Sequence, residues 1–307
     1  MTAWTSNHFT LEAVGKGIYA ALAREDGAAM GNGGFVDLGD RIIVFDTFNA
    51  PQAAQDLKEA AIHFTGHTEF IVVNSHWHGD HIRGNQVFEA APVLSTPVTK
   101  EWIEREHPGR IRKQQSMLPQ LDEDILELAR KLEQDTLSDA ERAALRNQLS
   151  FLKEMRIALP ELRLVSPTDV IEDERIIEGT DRRVRLFSCG SGHSSSDLAM
   201  EVLDEGVLFA GDLVSIDNHP MLDGGDPQNW VKILNCLEAD NYSQVIPGHG
   251  PVGDSRSIAV MRRYIEDLFK QAEHVDELDE IPQSYQSWKA DFLYKSNLNY
   301  IRTRTTL

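Results

Sequence analysis

The sequence predicts an α+β fold, with strands and helices in separate stretches of a 307-residue chain. Three observations support this class. Short apolar runs separated by tight turns fill residues 9–46 and return in residues 169–249. Helical periodicity occupies about residues 98–163, and the tail from about residue 255 is helical and charged. No internal repeat or flexible linker is visible, so we expect one domain over residues 1–307 with a helical insertion at about 98–163.

The first strands and helix follow from local signals. Four strand-like runs separated by turns are 9–13, 18–22, 35–38 and 42–45. A helix then begins near Asn49 and Pro51, which suit a cap and a first turn, and ends at Gly66. The apolar run Phe70–Val73 predicts a buried strand. A further helix is expected over Asn85–Ala91.

A cluster of histidines follows the strand at Phe70–Val73. Strand residues two apart point the same way, so His76 and His78 can reach one point. Gly79 lets the backbone turn, and Asp80 and His81 can then face the same pocket. Imidazole suits zinc, and a carboxylate adds a hard anionic ligand. Four potential ligands are more than one tetrahedral ion needs from a single loop, which suggests that two ions share the site. The spacing of the motif directly after a strand favours a metal site over a polar loop in which histidines occur by chance.

This His-x-His-x-Asp-His motif resembles the signature of the metallo-β-lactamase superfamily. The family's remaining ligands come in a set order, which the chain matches with Gly192-His193, Gly211-Asp212 and Gly248-His249-Gly250. The resemblance covers roughly residues 9–97 and 164–255. It implies a four-layer αββα sandwich, with the metal ligands on loops at one edge of the two sheets.

The resemblance also implies a division of the ligands. One metal takes His76, His78 and His193, the other takes Asp80, His81 and His249, and Asp212 bridges them. A closed structural zinc site would hold one ion with four ligands, usually including cysteines, and this set has none. We therefore expect two Zn²⁺, with iron or manganese as alternatives, and open positions for water and substrate.

The expected function is that of a dinuclear zinc-dependent hydrolase. A metal-bound hydroxide would cleave a small ester, thioester, lactone or amide, with Asp80 as a catalytic carboxylate. Position 212 is Asp, as in the thioester, lactone and phosphodiester hydrolases of the family. Position 78 is His, whereas the di-iron oxygen-reducing members of the family have Glu there. An iron persulfide dioxygenase and a non-catalytic, metal-stabilised interaction protein stay open as alternatives.

Three further residues are assigned supporting positions. The resemblance places Asp46 beneath the metals, where it would support the ligand loop. Asp197 is expected to brace the loop that carries His193. His219 follows the bridging aspartate by seven residues, and it is predicted to donate to a developing oxyanion at the substrate mouth. A loop histidine without such a role is an equally good interpretation of His219.

Two leucine-rich stripes characterise the insertion. They comprise Leu121, Ile125, Leu128 and Leu132, and then Leu145, Leu149, Leu152 and Leu159. Both have helical spacing, and Ser138 with Glu141 forms a capping box that begins the second helix. The stripes predict two antiparallel helices. They fit a packed hairpin best, with a lid over the metals or a dimer arm as alternatives.

Composition narrows the partners. The formal charge of −19 and the sequence pI of about 4.9 disfavour binding to the phosphate backbone of a nucleic acid, so no nucleic-acid partner is expected. No apolar run approaches a membrane span, and the N-terminus lacks the pattern of an export signal. Cys189 and Cys236 make no disulfide framework. We expect a cytoplasmic protein, a small-molecule substrate, no membrane and a possible homodimer.

Overall fold

The computed structural model describes residues 4–134, 136–273 and 279–305. Two β-sheets lie at the centre of these residues. The first has the spatial order β1 (Phe9–Gly15), β2 (Ile18–Ala23), β3 (Gly33–Asp37), β4 (Ile42–Phe45), β5 (Phe70–Val73), β6 (Val93–Ser95) and β7 (Asp169–Val170). The second has the order β12 (Gln244–His249), β11 (Val207–Ser215), β10 (Asp197–Val202), β9 (Arg183–Gly190) and β8 (Glu174–Glu178).

Helices surround the two sheets. They are α1 (Pro51–Thr65), α2 (Gly79–Ile82), α3 (Pro97–Ser116), α4 (Leu118–Leu132), α5 (Asp139–Ala158), α6 (Pro227–Ala239), α7 (Ser255–Ala272) and α8 (Phe292–Thr305). Short 3₁₀ segments lie at Arg83–Phe88, Leu159–Glu161 and Gln283–Tyr285. Among the described residues, no helix combines the length and the apolar character that crossing a membrane requires.

Three buried apolar clusters show how the layers pack. One lies between the sheets and includes Val36 and Phe209. A second joins the first sheet to α1 through residues such as Leu57, and a third joins the second sheet to α6, α7 and α8 around Trp230 and Tyr264. Each fully buried large apolar side chain contributes about 1.5–3 kcal/mol. The arrangement is the predicted αββα sandwich, with helices at its C-terminal end.

The sheet topology brings the ligand loops to one place. β4, β5, β6 and β7 are parallel neighbours, and so are β11 and β12. Parallel strands end at the same edge of a sheet, where ligand-binding residues of open sheets gather. Asp46 follows β4, and its backbone N–H donates to the carbonyl of Val73 at the end of β5. The histidine motif after β5 and His249 at the end of β12 therefore lie on strands that terminate near one another.

The insertion contains three helices, and the prediction of two was incomplete. The first, α3, buries Thr99, Ile103, His107 and Ile111, which are spaced four residues apart. Because two of these four residues are polar, the buried face of α3 leaves no apolar periodicity in the sequence. The capping box of α5 is present as predicted, with Ser138 and Glu141 bonded reciprocally.

Other local predictions have mixed outcomes. Gly66 ends α1 in the left-handed conformation as expected, with φ of 76°. The cap of α1 is Ala50, because the Asn49 side chain accepts a hydrogen bond from Arg83 instead. The helix predicted at Asn85–Ala91 is the 3₁₀ segment Arg83–Phe88. Strands β6 and β8 were not predicted.

Candidate metal centre

Four of the predicted ligands form a buried group. His76, His78, His193 and Asp212 offer ligand atoms that all lie within 4.8 Å of one another. His193 Nε2 is 3.1 Å from His78 Nδ1 and 3.3 Å from Asp212 Oδ2. His76 Nε2 is 3.8 Å from the same carboxylate oxygen. We call these four residues the inner group.

The other three predicted ligands form a second, more open group. Asp80 Oδ2 is 3.6 Å from His81 Nε2 and 3.5 Å from His249 Nε2. The ring of His81 is fully buried, whereas the side chains of Asp80 and His249 are 19% and 29% exposed. We call these three residues the outer group.

Asp212 contacts both groups. Its Oδ1 is 3.1 Å from His81 Nε2, and its Oδ2 is 3.4 Å from His249 Nε2 as well as close to His193. A Cβ at Gly248 would overlap Asp212 Oδ1, so the Gly-His-Gly turn approaches this carboxylate closely because it has no side chain there. The position of Asp212 suits a ligand shared between two ions.

Buried polar atoms test whether metals fit these residues. His76 Nε2, His81 Nε2 and Asp212 Oδ1 are buried and, within the described residues, have no hydrogen-bond partner. The last two lie 3.1 Å apart as an ion pair, whereas His76 Nε2 is 3.8 Å from Asp212 Oδ2, beyond hydrogen-bond distance. A buried polar group left without a partner costs about 1–3 kcal/mol. A cation coordinated by these atoms removes that cost, and a set of imidazoles and carboxylates is chemically suited to zinc, iron or manganese.

Electrostatics favour the same interpretation. Burial lowers the pKa of His76 well below its ordinary value and that of His193 to about 3, so both rings are neutral and offer lone pairs. Burial alone would raise the pKa of Asp212, but the neighbouring histidines hold it well below its usual range. Burial opposes the charge on His81, yet nearby carboxylates raise the pKa of its ring well above the ordinary value. The site therefore holds anionic carboxylates that favour a positive charge at their centre.

Asp46 orients the outer group. Its Oδ2 lies 2.8 Å from His81 Nδ1, and its oxygens accept hydrogen bonds from the Ser75 backbone N–H at 2.8 Å and the Ser75 hydroxyl at 2.7 Å. Because Nδ1 is engaged in this bond, His81 Nε2 is left to face the cluster. This is the supporting position that the resemblance implied for Asp46.

Asp197 orients the inner group in a comparable way. Its carboxylate accepts hydrogen bonds from the backbone N–H groups of Gly192 at 3.0 Å and Ser194 at 3.1 Å, on either side of His193. The His193 ring packs edge-on against Trp230, with centroids 5.5 Å apart. The predicted brace is present, and Trp230 completes it from the core.

Sequence reasoning missed three residues that position the ligand loops. Asn32 Nδ2 donates to the carbonyls of Pro247 at 3.0 Å and Gly250 at 2.8 Å and so holds the turn of His249. Ser75 Oγ lies 2.9 Å from His76 Nδ1, and His107 Nε2 lies 2.7 Å from the Trp77 carbonyl. Only Ser75 carried a signal, since it precedes the motif directly. The other two act across large distances in sequence.

The predicted catalytic role of His219 is not supported. The ring is 2% exposed and its Nδ1 lies 2.9 Å from the Tyr264 hydroxyl. It packs against Tyr264, Trp288 and Tyr294 in the aromatic core beside α7 and α8. Because this ring is enclosed by aromatic side chains, its surroundings give the oxyanion prediction no support. His219 is a core histidine.

Cavities among the described residues border the ligand groups. One of about 690 Å³ reaches His78 and is lined by Trp77, Trp102 and two arginines. A second of about 440 Å³ reaches Asp80, and a third of about 430 Å³ reaches His249. The second and third share Met30 and Phe151 as lining residues. A substrate can therefore approach the outer group directly from solvent-connected space.

Fold and site together define an αββα protein with a histidine–aspartate cluster that could hold metal ions at one edge of its sheets. The chain belongs to the metallo-β-lactamase superfamily, whose family model matches residues 26–249. A solved metallo-β-lactamase from Pontibacter korlensis is similar, with a TM-score of 0.60 and 13% identity over 84% of this chain and 99% of that chain. At this identity the likeness concerns the fold alone. Among curated proteins, none matches the sequence.

Proposed function

We propose that the protein is a dinuclear zinc-dependent hydrolase that cleaves a small ester, thioester, lactone or amide. The observation that carries the proposal is the contact of Asp212 with both ligand groups, at 3.1 Å to His81 and 3.3 Å to His193. One shared carboxylate between two sets of imidazoles is suited to two adjacent ions rather than one. Family membership supports a metal-dependent reaction of the hydrolase type.

Each ligand group would hold one ion. The inner ion would be bound by His76, His78 and His193, the outer one by Asp80, His81 and His249, with Asp212 between them. When bound, such ions lower the pKa of water to about 7 and polarise a carbonyl oxygen. The mixture of neutral imidazoles and few carboxylates, without any thiolate, keeps net positive charge at the centre for that chemistry.

Asp80 is the side chain of this set with the clearest proton-transfer role. Its carboxylate is partly exposed and lines the 440 Å³ cavity at the point where that cavity meets the outer group. We assign to it the transfer of a proton from the attacking water to the leaving group. Asp46 and Ser75 contribute indirectly, because they fix the ring of His81 beside Asp80.

A thiol nucleophile is not part of the proposal. Burial and the nearby Asp197 carboxylate raise the pKa of Cys189 well above its ordinary range, which keeps the thiol protonated. Cys236 is exposed on α6, and neither cysteine is in a disulfide. Unpaired cysteines are typical of a reducing compartment, which supports a cytoplasmic location as part of the proposal.

Metal analysis and a substrate panel test the function. The metal content of the purified protein is measured first, and the metal-free protein is then reloaded with zinc, manganese or iron. Ester, thioester, lactone, amide and phosphodiester substrates are assayed with each form and with Asp212→Asn as the impaired control. We expect about two zinc ions per chain and hydrolysis of a carbonyl substrate. One iron per chain with oxygen consumption on a persulfide would contradict the proposal.

A further inference from the structure

The cavity at Asp80 has an apolar wall built by the insertion. Its volume of about 440 Å³ lies within the range of small-molecule sites. The apolar lining residues include Met30, Met117, Leu121, Phe151, Leu152 and Met155. All but Met30 come from the inserted segment, and the set includes three methionines, whose side chains are soft and adaptable. The insertion therefore adds an apolar compartment to the metal centre.

Several polar residues of this cavity surround the ligand residue Asp80. Asp80 lies there beside Arg83, whose guanidinium donates to Asn49 Oδ1 at 2.8 Å and to Gln114 Oε1 at 2.7 Å. Arg83 Nε is buried and, among the described residues, has no hydrogen-bond partner. The remaining charged lining residue, Asp124, is exposed on α4. The end of the cavity that borders the ligands is thus polar. The walls from α4 and α5 carry the apolar residues Leu121, Phe151 and Leu152, together with Gln120 and Asp124 of α4.

Specific contacts hold the apolar wall in place. Asn49 Nδ2 lies 3.0 Å from Met155 Sδ, and Gln52 on α1 donates to the backbone carbonyl of Glu154 at 2.9 Å. The end of α5 is therefore fixed to the loop and helix that follow β4. Ile111 of α3 packs with Met155 in the core of the insertion and supports the same wall from behind. These contacts fix the position of the helices that form the cavity wall.

Met30 forms the opposite side of the cavity. It lies between β2 and β3, is 48% exposed and has a φ of 64°, which is uncommon for a residue with a side chain. The next residue, Gly31, is in close contact with His81, because a Cβ there would lie 2.7 Å from the imidazole ring. This loop therefore packs closely against His81 of the outer group, and it places the large apolar side chain of Met30 beside that group.

We propose that this cavity binds an unbranched acyl chain, so that the preferred substrates are acyl esters or thioesters of medium chain length. The inference rests on the proposed hydrolase function. The reacting carbonyl would lie at the polar end beside Asp80 and Arg83, and the chain would extend along Leu121 and Leu152. A second copy of this protein is a less suitable occupant, because the cavity is concave and ends at a ligand residue.

Binding of neutral alkanols tests the cavity without chemistry. Calorimetric titration of the zinc-loaded protein with primary alkanols from butanol to decanol should show affinity rising about fourfold per methylene, equivalent to about 0.8 kcal/mol. Leu121→Trp should abolish this dependence by filling the cavity. Leu126→Trp is the matched control, since Leu126 lies on the same helix, is 57% exposed and does not line the cavity. Leu152→Trp repeats the test if circular dichroism shows that the first variant is misfolded.

Hydrolysis of p-nitrophenyl esters from acetate to decanoate gives the second readout. The decanoate-to-acetate ratio of kcat/KM should fall at least tenfold in Leu121→Trp and stay unchanged in Leu126→Trp. Equal effects of both variants, or a wild-type protein without chain-length preference in binding and turnover, overturn the acyl-chain proposal. Alkanol binding with no hydrolysis of any ester, thioester, lactone or amide leaves the cavity assignment standing and refutes the hydrolase function. A dimer in light scattering whose dissociation is needed before alkanols bind assigns the cavity to a second copy and also overturns the proposal.

Discussion

The two ligand groups differ in their access to solvent. The histidines of the inner group are at most 9% exposed, whereas Asp80 and His249 of the outer group have side chains that are 19% and 29% exposed. Cavities of about 440 and 430 Å³ reach the outer group at these two residues. The inner group borders the cavity of about 690 Å³ at His78, but its histidines are buried. We therefore expect an ion in the inner group to be less accessible to water, and the outer group to meet the substrate.

The groups also differ in how they are braced. The loop of the inner His193 is held by Asp197, a residue only four positions away. The outer group depends on residues distant in sequence, since Asp46 orients His81 and Asn32 holds the turn of His249. Mutations that affect the outer group can therefore lie far from its ligands in sequence.

Loss of the shared carboxylate should have the largest effect. Asp212→Ala removes the residue that contacts both groups, so both ions should bind weakly and turnover should fall roughly a thousandfold. Asp212→Asn keeps the shape and removes the charge, and it should be nearly as impaired. Metal content by mass spectrometry and kcat/KM are the measurements. An Asp212→Ala protein with two metals and normal turnover would disprove the sharing of this residue.

Removal of the outer brace should have the next largest effect. Asp46→Asn keeps the size of the side chain but loses the charge that orients His81, and metal affinity should fall about 10–100-fold. The loss should concern one of the two ions, which a competition titration with a chromophoric chelator resolves. Asp139→Asn is the control, because Asp139 is exposed at the start of α5. Equal weakening of both ions would argue against separate bracing.

Metal removal should proceed in two phases. The outer ion is expected to leave first, because a chelator can reach it past Asp80 and His249, whereas the inner ligands are buried. Stopped-flow chelation of the zinc-loaded protein should show two rates that differ severalfold. His249→Gln should accelerate the fast phase alone. A single phase, or a variant that changes only the slow phase, would mean that exposure does not govern release.

The smallest effect is expected from the two thiols. Cys189 lies on β9, which leads to the inner His193, and its burial raises the pKa of the thiol, so at pH 8 it stays protonated and unreactive. Cys236 is exposed and should be alkylated first by iodoacetamide, without loss of activity. Mass spectrometry of digested protein identifies the labelled site. Labelling of Cys189 at the same rate would show that the surroundings of the inner group are open.

Much of the site could be predicted from sequence because its signals are local. The alternation of His76 and His78, the turn at Gly79 and the glycines beside Asp212 and His249 restrict the backbone within a few residues. The same holds for the αββα fold and the capping box of α5, which the structure confirms. Local patterns succeed where a property depends on neighbours along the chain.

The sequence by itself determined the set of residues that converge, the class of fold and the chemistry that imidazoles and carboxylates support. Tertiary structure decided the rest. The position of His219 in an aromatic core depends on α7 and α8. The hydrogen bond by which Asn32 holds the turn of His249 joins residues 215 positions apart in sequence. Helix α3 buries polar residues, so its role was hidden, and the cavity at Asp80 exists only because the insertion packs beside the motif. The physical reason is that packing depends on distances between remote side chains, which no local spacing encodes.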